Sequence, residues 1–148
     1  MKNLWHLIKR FFSSITASPL TSSEHVEVGA TLLPAEYALF LRLATSDQRH
    51  ALHVLRRFDR LVPSAPMVAR RAALLHDIGK LESGLGTTRR VVATVAGSRS
   101  RKFRAYHDHE QIGSDLLNAA GSDPRTVMLV RGEGDTTHVD ALRRADAI

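Results

Sequence analysis

Cysteine is absent from all 148 residues of the chain. Its absence excludes disulfides, thiolate nucleophiles and Cys-type zinc sites, so any metal must sit on His and carboxylates. Long apolar runs are missing as well. The longest uncharged apolar stretches fall well short of the roughly 20 residues a transmembrane helix needs, so no span is expected. No internal repeat and no low-complexity tract interrupts the chain. Acid is in deficit: 15 Asp and Glu face 21 Lys and Arg, a formal charge of +6, with eight His in reserve below neutral pH. What remains is ordinary. Hydrophobic residues at 43% and charged residues at 24% are a globular composition, and the length is that of one domain. A disordered tail, a collagen-like fibre and a multidomain machine are thereby excluded. The basic balance suits phosphate-bearing ligands, nucleic acid or an anionic membrane, and equally a solvated surface.

Pro19, Pro34, Pro63, Pro66 and Pro124 punctuate the chain at short intervals, and Gly79, Gly84, Gly86, Gly97, Gly121, Gly132 and Gly134 mark stops and loops. Between them apolar residues recur at three and four, which predicts an all-α fold. Thr21 and Glu24 form a candidate capping box before a short helix. Helices are expected over Pro34–Ala44, Ser46–Leu61, Ala65–His76 and Tyr106–Ala120, then from Asp123 or Pro124, and finally over Thr137–Ile148. Gly79 supplies a helix-stop signal. Arg89–Ala96 is ambiguous between helix and strand.

Residues 1–20 are expected to form a separate amphipathic basic helix, ahead of a helical domain over 21–148. Leu4, Leu7, Ile8, Phe11 and Ile15 make one stripe, accompanied by Lys2, Trp5, Lys9 and Arg10. Such a helix can touch a membrane surface peripherally through residues 1–16, or pack on its own domain. Charge breaks the apolar stretch and no small-residue cleavage pattern follows cleanly, so a signal peptide is not expected and the location is read as cytoplasmic.

Which His and Asp point inward follows from helix periodicity, since positions three, four, seven and eight apart share a face. His50 aligns with Val54, Phe58 and Leu61, whereas His53 aligns with Arg49, Arg57 and Arg60. His50 is thus the inward one. Val68, Ala69, Ala72 and Ala73 form a small-residue stripe ending at His76, with Asp77 next. His109 shares a face with Ile112, Gly113 and Leu116, while His107 points about 200° away. Asp146 shares a stripe with Val139 and Leu142. A lone inward His is commonly a satisfied core residue, but an unpaired buried carboxylate costs several kcal/mol and must find a cation or donors. If these groups converged, they would make a His/Asp site for a hard or borderline divalent cation.

The string Ala72-Ala73-Leu74-Leu75-His76-Asp77-Ile78-Gly79-Lys80 resembles the A-x-L-L-H-D-I-G-K signature of the HD-domain superfamily of metal-dependent phosphohydrolases. His50, in Arg49-His50-Ala51-Leu52-His53-Val54, matches the upstream His of the family's H…HD…D pattern. Asp146, in Leu142-Arg143-Arg144-Ala145-Asp146, looks like the closing Asp. His109-Glu110-Gln111-Ile112-Gly113 resembles the H-P-E-x-G segment of many such proteins, with Glu110 in place of Pro. The resemblance covers about Ser46 to Ile148. It implies a single-domain helical bundle with a central metal site, in which His50, His76, Asp77 and Asp146, helped by His109, hold Mg, Mn, Fe or another divalent ion. It further implies hydrolysis of a nucleotide or other small phosphate mono- or diester by a metal-activated water. In that chemistry Asp77 would ligate the ion and orient the water, and Lys80 would neutralise a phosphate oxygen. Arg89, Arg90 and the run Arg99–Arg104 are candidate phosphate contacts.

The chain departs from the family in places. Dinuclear branches commonly carry a further His pair before the final Asp. Here the interval reads Val130-Arg131-Gly132-Glu133-Gly134-Asp135, where Glu133 or Asp135 would have to substitute. No G-Y-P motif is present, and the Arg-rich motifs of the (p)ppGpp hydrolases are not visible. Asp146 also lies close to the C-terminus, where helices fray. A degenerate HD module that binds metal or nucleotide without turnover is therefore the alternative function. A basic adaptor for nucleic acid or a membrane surface is a third.

Overall fold

The computed structural model describes residues 16–81 and 100–147 together with Ile8; of residues 100–109 it describes the backbone alone. The expected amphipathic helix at the N-terminus and the ambiguous segment Arg89–Ala96 therefore fall outside the described residues. Within them there are seven helices and no strand. These are α1 (Ser22–Thr31), α2 (Pro34–Phe40), α3 (Thr45–Leu61), α4 (Met67–Leu75), α5 (Ser100–Ala119), α6 (Pro124–Val130) and α7 (Thr136–Asp146). The fold is all-α, as the periodicity predicts.

Helix starts follow local chemistry. Thr21 and Glu24 close the expected capping box: the Glu24 amide donates to Thr21 Oγ1 and the Thr21 amide donates to the Glu24 carboxylate. Asp123 caps α6 by accepting from the Arg125 amide, with Pro124 in the first turn, where its missing N–H costs nothing. Asp135 accepts from the His138 amide and starts α7. That cap occupies one of the two acids considered as ligand substitutes. The other, Glu133, is exposed and lies 3.6 Å from Arg131.

Two helices are shorter than their periodicity suggests. α2 stops at Phe40, and the Gln48 side-chain Nε2 donates to the carbonyls of Leu41 and Leu43, fixing the chain in a turn there. α4 begins at Met67, since Pro66 is the extended N-cap and disfavours helix at Ala65. It ends at Leu75, and His76 to Gly79 continue as tight turns before helix resumes at Lys80 and Leu81, the stretch being closed by Ile78 to Leu75, Lys80 to Asp77 and Leu81 to Ile78 backbone bonds. The helix thus stops ahead of Gly79, as its signal predicts, although Gly79 itself is not left-handed. Positive φ occurs instead at Gly121, Gly132 and Gly134. The turn is approached closely by α5: a Cβ on Gly113 would meet the Gly79 nitrogen at 3.2 Å.

One apolar core runs from Leu20 to Ala145. α3 contributes Leu52, Leu55 and Phe58, fully buried at every third position along one face. Each such side chain contributes about 1.5–3 kcal/mol by leaving water. α4 contributes Ala69, Ala72 and Ala73, whose small size lets α3 and α6 approach on either side. α7 lies against α3 through Val139, Leu142 and Ala145, and turns Asp140, Arg143 and Arg144 to solvent. This three-helix arrangement brings the inner face of α3, the C-terminal end of α4 and the last turn of α7 to one place.

Candidate metal centre

Three helices deliver one side chain or pair each. His50 comes from the second turn of α3, His76 and Asp77 from the turn that ends α4, and Asp146 from the end of α7. Their polar atoms meet. His50 Nε2 donates to Asp146 Oδ1 at 2.9 Å. His76 Nε2 stands 3.3 Å from the same oxygen and 3.4 Å from Asp77 Oδ2, and the two imidazole rings lie edge to face at 5.4 Å. One ligand atom each from His50, His76 and Asp77 lies within 4.8 Å of the other two. Two ligands at about 2.0–2.2 Å from a shared cation lie up to about 4.4 Å apart, so separations of this order suit a common ion. These three residues can hold a metal ion.

The second observation concerns a single atom. His76 Nδ1 is 2.8 Å from the carbonyl of Ala73, and a carbonyl only accepts, so Nδ1 carries the hydrogen. Nε2 of the neutral ring then holds a lone pair, buried, with no hydrogen bond among the described residues. The carboxylates facing it are also lone-pair donors. Such an arrangement is satisfied by a proton or by a cation, and a backbone carbonyl behind the ring is the usual support for a histidine ligand. Two imidazole nitrogens with one or two carboxylate oxygens, and no thiolate, form a donor set for a borderline or hard divalent ion.

Protonation follows the same geometry. Burial pulls His76 down, but the Asp146 and Asp77 carboxylates outweigh it and the net direction is upward. Burial pushes Asp77 up, yet His76 and Lys80 carry it below the ordinary range. Asp146 is held far below that range by the hydrogen bond from His50 and then by His76.

Lys80 has carboxylate partners of its own. Its ammonium sits 2.8 Å from Asp77 Oδ2 and 3.3 Å from Asp47 Oδ1, bridging α3 to the His76–Asp77 turn. Burial lowers its pKa and the two carboxylates raise it further, so it remains charged. Asp47 was not singled out in the sequence. It lies three residues before His50 on the same helix, so face-sorting extended one turn back would have found it.

Asp146 is on the expected face, but it is not sealed in the interior: 43% of its side chain is exposed, against 16% for His76. The centre thus opens to solvent on the α7 side. His53 is exposed, as its alignment with the arginines predicts. There, burial and then Arg57, Arg49 and Arg56 lower its pKa. His109 belongs to α5, whose Gly113 rests on Gly79, but its side chain lies outside the described residues. So do Arg89, Arg90 and the side chains of Arg99–Arg104. The chain matches no family model, no curated relative and no solved structure.

Proposed function

We propose that this chain is a metal-dependent phosphohydrolase of the HD type, acting on a nucleotide or other small phosphate ester. The observation that supports the reading is the meeting of His50, His76, Asp77 and Asp146 from three separate helices around the buried, unbonded Nε2 of His76. These are the four positions that the H…HD…D resemblance names, and the mutual distances suit one small cation. A divalent ion there supplies Lewis acidity, lowering the pKa of water and drawing charge from phosphoryl oxygens.

The chain's own residues then divide the work. The Ala73 carbonyl fixes the His76 ring and its tautomer. Lys80 holds the Asp77 carboxylate through Oδ2, the oxygen that also faces His76, and Asp47 holds Lys80. With 38% of its side chain exposed, Lys80 can still neutralise a phosphate oxygen of a bound substrate. The exposed side of Asp146 leaves a small polar ester a route to the centre. The +6 charge favours an anionic substrate at long range.

The test is hydrolysis of a panel of nucleotides and phosphoesters with Mg²⁺, Mn²⁺ or Fe²⁺ added. Wild-type protein is expected to turn over at least one compound, and Asp77→Ala to fall at least about a hundredfold, as loss of a metal ligand and water-orienting group does. Equal background rates for both proteins across the panel would overturn the reading. A non-catalytic module that binds metal alone would show that background together with a stabilising metal response.

A further inference from the structure

α7 ends at Asp146, and the last carbonyls of a helix have no partner within it. The Ala147 amide returns to Arg143 O at 3.1 Å. The Ala145 carbonyl is met from another helix: Arg57 Nη1, on α3, donates to it at 2.6 Å. Asp146 places a negative charge at the negative end of the α7 dipole, where it is disfavoured, and a guanidinium at the same end offsets it. The arginines of the last turn of α7 itself, Arg143 and Arg144, point to solvent.

Arg57 follows His50 by seven residues, so the two lie about 20° apart around α3 and about 10 Å apart along it. α3 therefore grips the end of α7 twice. His50 takes the Asp146 side chain, and Arg57 takes the backbone one residue earlier. Between the two grips the Asp146 carboxylate has little freedom to turn away from His76.

We infer that Arg57 is a positioning residue for the metal centre, holding Asp146 in ligand geometry by fastening the last turn of α7 to α3. The inference rests on the metal reading above. It assigns to Arg57 a task that no metal contact performs.

The experiment compares wild type with Arg57→Gln and Arg57→Lys, each also in an Asp146→Asn background. Mn²⁺ affinity is measured by calorimetry and amide exchange by mass spectrometry. Arg57→Gln is expected to weaken Mn²⁺ binding about tenfold or more, the scale for residues supporting a ligand. Arg57→Lys, which keeps a cationic donor, should recover most of the loss. In Asp146→Asn the added Arg57→Gln change should cost nothing further, because its effect passes through the carboxylate already removed. Exchange in 143–147 should accelerate at least about tenfold in Arg57→Gln, with the α3 and α4 cores unchanged. An equal Mn²⁺ loss in both backgrounds, or unchanged exchange at the end of α7, would overturn the assignment. If wild type binds no Mn²⁺, the metal reading falls, and the exchange result alone then decides whether Arg57 fastens α7.

Discussion

His50 and His53 sit three residues apart on one helix and meet different surroundings. His50 reaches Asp146, while His53 stands exposed among Arg49, Arg56 and Arg57. His50→Ala and His76→Ala are therefore expected to lower the metal content of protein purified without chelator, with His53→Ala unchanged. Elemental analysis reads this directly, and equal metal in all three variants would sink the face assignment. The raised pKa of His76 carries a sign. Without metal, its interaction with Asp146 and Asp77 stabilises the fold fully below the ordinary histidine pKa of about 6.5 and is lost as pH climbs through the higher folded value. A cation must displace that same proton. Mn²⁺ affinity is thus expected to rise from about pH 6 to about pH 8, with proton release. Affinity that is flat or falls over this interval in a calorimetric titration would contradict it. The lowered Asp146 works the other way, stabilising above the ordinary carboxylate range and losing its effect only at acid pH.

Among elements, the contact of α5 with the His76–Asp77 turn is the tightest to test. Gly113 places its missing Cβ 3.2 Å from Gly79 N and 3.3 Å from Ile78 Cγ2, both in a buried turn. Alanine there would gain helix propensity of about 0.5–1 kcal/mol, but overpacking against backbone costs about 1–3 kcal/mol. Gly113→Ala is expected to be destabilising by about 1 kcal/mol and Gly113→Val by more, read from urea midpoints at unchanged slope. An alanine variant as stable as wild type would show that the turn yields freely. The sequence flagged Gly113 only as part of a motif and on a helix face. What makes glycine necessary there is a neighbour 34 residues earlier, which no local pattern displays. α4, by contrast, was legible from its alanines, since a small-residue stripe lets neighbouring helices approach closely.

For the molecule as a whole, one core ties all seven described helices together, and the centre lies where α3, α4 and α7 adjoin. A ligand that binds only this folded arrangement stabilises all of it. At a hundredfold excess over Kd the gain is about 2.7 kcal/mol, or roughly 5–10 °C in Tm for a domain of this size. Mn²⁺, Mg²⁺, Fe²⁺ and Zn²⁺ added in turn should therefore raise Tm, and the rise should vanish in His50→Ala. No shift with any of the four would count against a competent site. No described helix is long and apolar enough to cross a membrane, in keeping with the lack of long apolar runs.

Helix type, most helix starts and the inward set His50, His76, Asp77 and Asp146 could all be read from local order. Periodicity at 3.6 residues and capping chemistry act within a few residues of each other, so they are written in the chain itself. The absence of cysteine likewise fixed His and carboxylate as the donors available to any metal. Tertiary structure decided the rest. Only packing could show that Asp146 reaches both histidines yet stays open to water, that Lys80 is engaged by Asp77 and Asp47, and that Arg57 grips the Ala145 carbonyl across 88 residues of sequence. Helical periodicity gives the direction of a side chain around its own axis. The partner it meets depends on how one axis is set against another, and that is settled by the volumes packed between them.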